Sequence, residues 1–147
     1  MNTTSQPSCT SVRRDISLSL RLILFLTTAF PDFHIRGRGV ADTDSGPKQW
    51  LHLGTDTTYI ALEQHATPTD CGRSPYRDNG VNHLAFVVDD IDGLIERLRG
   101  AGYSDGIPVD PHPHRKRAYF HDGGGNEYEF VEYTSDDPAE RNASYPS

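Results

Sequence analysis

The stretch Asn82-His-Leu-Ala-Phe-Val-Val-Asp-Asp-Ile-Asp-Gly-Leu-Ile-Glu-Arg-Leu98 decides the fold, because its hydrophobic period changes part-way along. Residues 82–88 are short, apolar and rich in strand formers, and so predict a strand. Asp90 then stands as a helix N-cap. Ile91, Leu94, Ile95 and Leu98 follow at i, i+3, i+4 and i+7, one face of a helix that Gly100 or Gly102 ends. Downstream, residues 117–121 and 127–133 read as two strands. They are joined by Asp122-Gly-Gly-Gly-Asn126, a run that tolerates positive φ. Strand, helix and hairpin in that order predict an α+β fold.

Upstream the same order is fainter. Residues 50–53 and 58–63 predict two strands joined by the turn Gly54-Thr-Asp-Thr57. Residues 37–47 hold Gly37, Gly39 and Gly46 among Asp and Ser, the composition of a loop. Residues 22–30 are apolar and predict a short helix closed by Pro31. Ahead of them, Ile16, Leu18, Leu20 and Leu22 alternate with Ser17, Ser19 and Arg21, the period of a half-buried strand over residues 15–20. Arg13 and Arg14 before an apolar stretch also have the outline of a secretory signal, but the alternation favours the strand. Sliding the chain on itself by 68 residues lays Asp15 on His83, Ala61 on Glu129, and residues 50–63 on 118–131. That points to a duplicated βαβββ module. The expected organisation is a Ser/Thr-rich N-terminus (residues 1–13), a single domain (14–133) and a polar tail (134–147). Within the domain lie one module over 14–65, a Pro/Gly-rich linker over 66–80 and a second module over 81–133.

Composition narrows the function classes. A chain of 147 residues is one domain's worth and can bury roughly 70% of its unfolded surface. A net charge of −7 repels phosphate backbones and argues against nucleic-acid binding. Cys9 and Cys71 form no paired motif, so a cytoplasmic location is the expectation. The apolar stretch after Arg14 is too short and too charged to span a membrane.

Asn82-His-Leu-Ala-Phe-Val-Val-Asp-Asp-Ile91, together with Arg117-Ala-Tyr-Phe-His-Asp-Gly-Gly-Gly-Asn-Glu-Tyr-Glu-Phe-Val-Glu-Tyr133, resembles a module of the vicinal-oxygen-chelate superfamily of glyoxalases, bleomycin-resistance proteins and extradiol dioxygenases. Residues 25–33, 50–54 and 59–64 look like the other module. The resemblance implies two modules whose curved sheets pair into a cup, with metal ligands on the first and last strands of each half. His83 and Glu129 stand at ligand positions, and strand parity turns both inward. Imidazole with carboxylate suits Zn, Fe, Mn or Ni in the divalent state. Glu129 is also the candidate catalytic residue. The first half departs from the pattern: Asp15 aligns with His83, and Ala61, which has no donor, aligns with Glu129. Asp15 and Glu63 are therefore the candidate additional ligands or general base. The short span between Leu20 and Phe25 predicts a displaced opening strand and a cup open on one side.

Two function classes follow from the resemblance. One is a metal-dependent lyase, isomerase or dioxygenase acting on a small oxygen-chelating substrate, in which the ion serves as Lewis acid. The other is a metal-free protein that sequesters a drug or metabolite, or a degenerate copy of the family. A homodimer is expected in either case. Glu127 and Glu132 read as solvated strand residues. His112, His114, Arg115, Lys116 and Arg117 read as a solvated basic loop that could otherwise hold an anion at the rim. Tyr59, Tyr119 and Phe120 read as sheet packing first and pocket lining second.

Overall fold

The computed structural model describes residues 18–65, 76–77 and 81–144. Its elements are α1 (Leu18–Ala29), β1 (His34–Thr43), β2 (Gly46–Gly54), β3 (Tyr59–His65), β4 (Leu84–Val87), α2 (Ile91–Gly100), β5 (Arg115–His121), β6 (Glu127–Tyr133) and α3 (Pro138–Arg141). Sheet 1 has the order β1-β2-β3 and is antiparallel throughout; sheet 2 has the order β4-β6-β5, with β4 parallel to β6. Only a crossover can join parallel neighbours, and α2 supplies it. Among the described residues no helix is long and apolar enough to cross a membrane.

The second half forms the elements its sequence predicts, with β4 shorter than the anticipated 82–88 and β5 starting at Arg115, two residues before the anticipated 117. The Asp90 carboxylate accepts from the Gly93 amide at 2.9 Å, and a Cβ at Gly93 would stand 2.2 Å from that carboxylate. Ile91, Leu94 and Leu98 are buried on one face of α2, and Gly102 takes φ +85° just past its end. In the β5–β6 turn, Gly123 and Gly125 adopt φ +72° and +102°, while the Asp122 carboxylate accepts from the amides of Gly124 and Asn126.

The first half corrects three expectations. The strand anticipated over residues 15–20 is not formed at its described end, because α1 starts at Leu18 and leaves Leu20 44% exposed. Helical period wins there: Leu22, Phe25, Leu26 and Ala29 lie at i, i+3, i+4 and i+7, and the last three are fully buried. The loop anticipated over residues 37–47 is instead β1 and its turn into β2. Its glycines do packing work, since a Cβ at Gly39 would lie 2.9 Å from the Trp50 indole; only Gly46, at φ +105°, serves a turn.

The third correction concerns the repeat. β3 and β6 superpose at a shift of 68, but β2 and β5 superpose at 67. Leu51 pairs with Leu62 where Ala118 pairs with Phe130. The cause is the second hairpin's loop, residues 122–126, which is one residue longer than the first, residues 55–58. A slip of one residue would turn every side chain to the wrong face, so the repeat holds only when the longer loop is allowed for.

One core joins both halves. Phe25, Leu26 and Ala29 of α1, Leu53 of β2, Ile91, Leu94 and Leu98 of α2, and Ala118, Phe120, Tyr128 and Phe130 of sheet 2 form a single buried cluster. Phe130 is its hub, with ring centroids 6.2 Å from Phe25, 5.8 Å from Phe30, 6.2 Å from Phe86 and 6.4 Å from Phe120. Arg97 of α2 donates to the Ala29 carbonyl at 3.1 Å, satisfying an orphan acceptor at the end of α1. Helices α1 and α2 thus cover one face of sheet 2 and leave the other to Arg117, Tyr119 and Glu129.

Candidate metal and ligand site

On the outer face of sheet 2, away from α1 and α2, the odd-numbered residues of β6 and β5 line up with the residues around β4. Ala85, Glu129 and Tyr119 form one cross-strand row, with His83 just ahead of β4. The His83 Nε2 lies 3.0 Å from Glu129 Oε2, and its Nδ1 lies 2.8 Å from Asn82 Oδ1. Contacts at both ring nitrogens fix the orientation of the imidazole. Tyr119 donates to Glu129; burial, reinforced by that carboxylate, pushes its phenol up to about 12. Arg117 Nη1 stands 3.7 Å from Glu129 Oε1. The Glu129 side chain is only 12% exposed.

The structure brings two of the four anticipated ligands together. Glu63 is engaged elsewhere, accepting from Lys48 at 2.7 Å on sheet 1, and Asp15 lies outside the described residues. Among the described residues no group of three or more His, Cys, Asp or Glu side chains could hold a metal. The His83–Glu129 pair does fit a divalent ion as far as it goes. Two ligands each about 2.1 Å from a first-row ion, at right-angled to tetrahedral geometry, lie about 3.0–3.4 Å apart, and the Asn82 contact orients the imidazole as an outer hydrogen bond does in metal sites.

Two neighbours read as solvated are not. Glu127 is 2% exposed; it accepts from the Ile107 amide at 3.0 Å and from the Tyr76 hydroxyl. Burial and then Glu127 raise the Tyr76 phenol beyond its ordinary range. Glu132 accepts from the Ile91 amide at 2.8 Å, seating the first turn of α2. The basic cluster is likewise split by strand parity. Lys116 turns to Asp92 at 2.6 Å, whereas Arg115 and Arg117 turn to the outer face beside Glu129. Tyr119 and Arg117, read from the sequence as sheet packing and solvated loop before any pocket role, fall beside Glu129 by the same parity once the hairpin register is known.

The equivalent outer face of sheet 1 is aromatic. His52 stacks on Tyr59 at 4.3 Å and lies 5.2 Å from Trp50, Arg36 caps Tyr59 at 4.9 Å, and Ala61 pairs with His52.

The model of the glyoxalase, bleomycin resistance protein and dioxygenase superfamily matches residues 32–130, two thirds of the chain. The chain belongs to that superfamily. Solved members of the glyoxalase superfamily share its architecture. A glyoxalase-family protein from Bacillus cereus is 18% identical with a TM-score of 0.66, over 89% of this chain and 100% of that one. A glyoxalase, bleomycin resistance protein and dioxygenase domain from Frankia is 25% identical with a TM-score of 0.59, over 89% and 92%. The fosfomycin resistance protein FosX from Listeria monocytogenes, solved with Mn(II) and 1S,2S-dihydroxypropylphosphonic acid, is 17% identical with a TM-score of 0.60, over 84% and 88%. No protein of curated function matches the chain significantly.

Proposed function

We propose that this member of the glyoxalase superfamily is a divalent-metal-dependent lyase, isomerase or dioxygenase acting on a small oxygen-chelating substrate. The observation that carries the reading is the His83 Nε2–Glu129 Oε2 approach of 3.0 Å, with Asn82 fixing the imidazole. When bound, a divalent ion supplies Lewis-acid stabilisation of an oxyanion or enolate. His83 and Glu129 would hold it, Tyr119 orients the Glu129 carboxylate, and substrate oxygens or Asp15 would supply the remaining ligands. FosX, a fold neighbour, takes Mn(II) and a small phosphonic acid, which supports this class of ligand. A second copy of the chain covering the outer faces, as a homodimer, completes the proposal.

The test is metal content by mass spectrometry on protein purified without chelator. The wild type carries near-stoichiometric divalent metal, and His83→Ala and Glu129→Ala carry none. Metal-free wild type, or metal retained in both variants, rejects the reading.

Ala61 favours a second reading, a metal-free protein that sequesters a drug or metabolite. The donor of the first half is replaced by a methyl group beside the rings of Trp50, His52 and Tyr59, which suit an aromatic ligand. In that case His83→Ala leaves ligand affinity unchanged.

A further inference from the structure

Along β1 the ladder with β2 skips one residue. Ile35 pairs with Leu53 and Gly37 with His52, so Arg36 is the extra residue of a β-bulge. Bulges re-aim side chains, and this one lays the Arg36 guanidinium over the Tyr59 ring at 4.9 Å. Tyr59 in turn stacks with His52 at 4.3 Å, and His52 lies 5.2 Å from Trp50. One cation and three rings thus run in a row across the outer face of sheet 1. Glycines keep the far end of the row low: a Cβ would stand 2.9 Å from the Trp50 indole at Gly39 and 3.6 Å from it at Gly37, so the indole rests against bare backbone.

The row is open to solvent. Tyr59 is 52% exposed, and Arg36 and Ala61 are exposed beside it. Ala61 lies opposite His52 and, by strand parity, on the same face as Tyr59 and Glu63. Its methyl group leaves a step next to the imidazole where a longer side chain would stand. Exposed rings around such a step offer stacking area to a planar ligand. Charge decides which ligand. Lys48 and His34 face carboxylates, those of Glu63 at 2.7 Å and Asp56 at 3.4 Å. Among the described residues Arg36 has no acidic partner, its guanidinium resting on a neutral ring. A cationic ring is repelled there, whereas a carboxylate can take two parallel hydrogen bonds from the guanidinium fork.

We propose that the outer face of sheet 1 binds a planar aromatic carboxylate, whose ring stacks on the row of Tyr59, His52 and Trp50 and whose charge is met by Arg36. Such a ligand belongs to the metal-free sequestering reading, on which its placement rests, and needs no ion at His83 and Glu129.

Trp50 is the single tryptophan of the chain, so its emission reports on this face directly. The full chain, freed of metal by chelator, is titrated with benzoate, with benzamide, which keeps the ring without the charge, and with cyclohexanecarboxylate, which keeps the charge without the planar ring. Benzoate should change the Trp50 emission saturably. Benzamide should bind about tenfold more weakly, and cyclohexanecarboxylate about three- to tenfold more weakly. Arg36→Met, at an exposed position, should weaken benzoate about tenfold and leave benzamide unchanged, whereas His52→Ala should weaken both about three- to tenfold. Arg38→Met, on the same strand but turned to the opposite face, should alter nothing. Benzamide bound as tightly as benzoate, or benzoate binding that survives Arg36→Met, overturns the anionic ligand while leaving an uncharged aromatic one to the sequestering reading. No response to either ring overturns the ligand face itself. Emission that changes with protein concentration alone assigns the rings to a second copy of the chain and overturns it equally. Metal content, measured separately, bears on none of these outcomes, because the titrated protein is metal-free.

Discussion

The β2–β3 and β5–β6 hairpins are built alike but loaded differently. Their helix-covered positions correspond as Leu53 to Phe120, Ile60 to Tyr128 and Leu62 to Phe130, all apolar or aromatic. Their outer positions correspond as Trp50 to Arg117, His52 to Tyr119, Tyr59 to Glu127 and Ala61 to Glu129, and there only the aromatic ring at His52 and Tyr119 is kept. Packing against the helices constrains the covered face, whereas the outer face is free of that constraint. The two hairpins share one scaffold, and Glu127 and Glu129 stand in one where Tyr59 and Ala61 stand in the other.

The sharpest way to break this comparison is at the hub of the core. Phe130→Ala should cost about 3–5 kcal/mol in urea unfolding, and Leu62→Ala, at the equivalent register position, about 2 kcal/mol. Phe130 is fully buried among four rings, while Leu62 is 8% exposed and not part of the central cluster. Equal costs would mean that the two sheets share the core evenly. A smaller effect is expected at Glu127→Gln, which keeps the shape of a buried carboxylate but not its charge. About 1–3 kcal/mol should be lost there, against roughly zero for Tyr59→Phe at the equivalent, half-exposed position.

The gentlest effect is one of pH. Burial, and secondarily the Asp122 carboxylate, raise the Tyr128 phenol above its ordinary range, whereas its counterpart Ile60 does not titrate. A phenol whose folded value is raised contributes stability that is complete below about pH 10 and is lost as pH climbs toward the folded value. Urea midpoints should therefore fall above pH 10, less steeply in Tyr128→Phe. An identical slope in the variant would place the alkaline sensitivity elsewhere.

The parts legible in the sequence were those where local signals agreed. Asp90, the spacing from Ile91 to Leu98, and the glycine turn after Asp122 each pointed to the element that forms. That His83 and Glu129 stand together was legible through strand parity and the family resemblance. The rest failed for identifiable reasons. Glycines that clear space for Trp50 look, in sequence, like glycines that turn a chain. Leu18 and Leu22 fit both a two-residue and a four-residue period, and only burial of Phe25, Leu26 and Ala29 decides between them. Arg141 was hidden in a tail whose docking depends on carbonyls, which no residue name reveals.

The distance between His83 and Glu129 along the chain carries a consequence for how the site comes into being. Glu129 meets Tyr119 within a hairpin, but it meets His83 only across 46 residues, through the parallel seating of β4 on β6. Contacts that close long loops form late, because their entropy is lost before neighbours can repay it. The half of the site made by Tyr119, Arg117 and Glu129 can therefore assemble early, and arrival of His83 reports completion of the sheet. Any ligand gripped by both residues acts as a clasp on that last pairing.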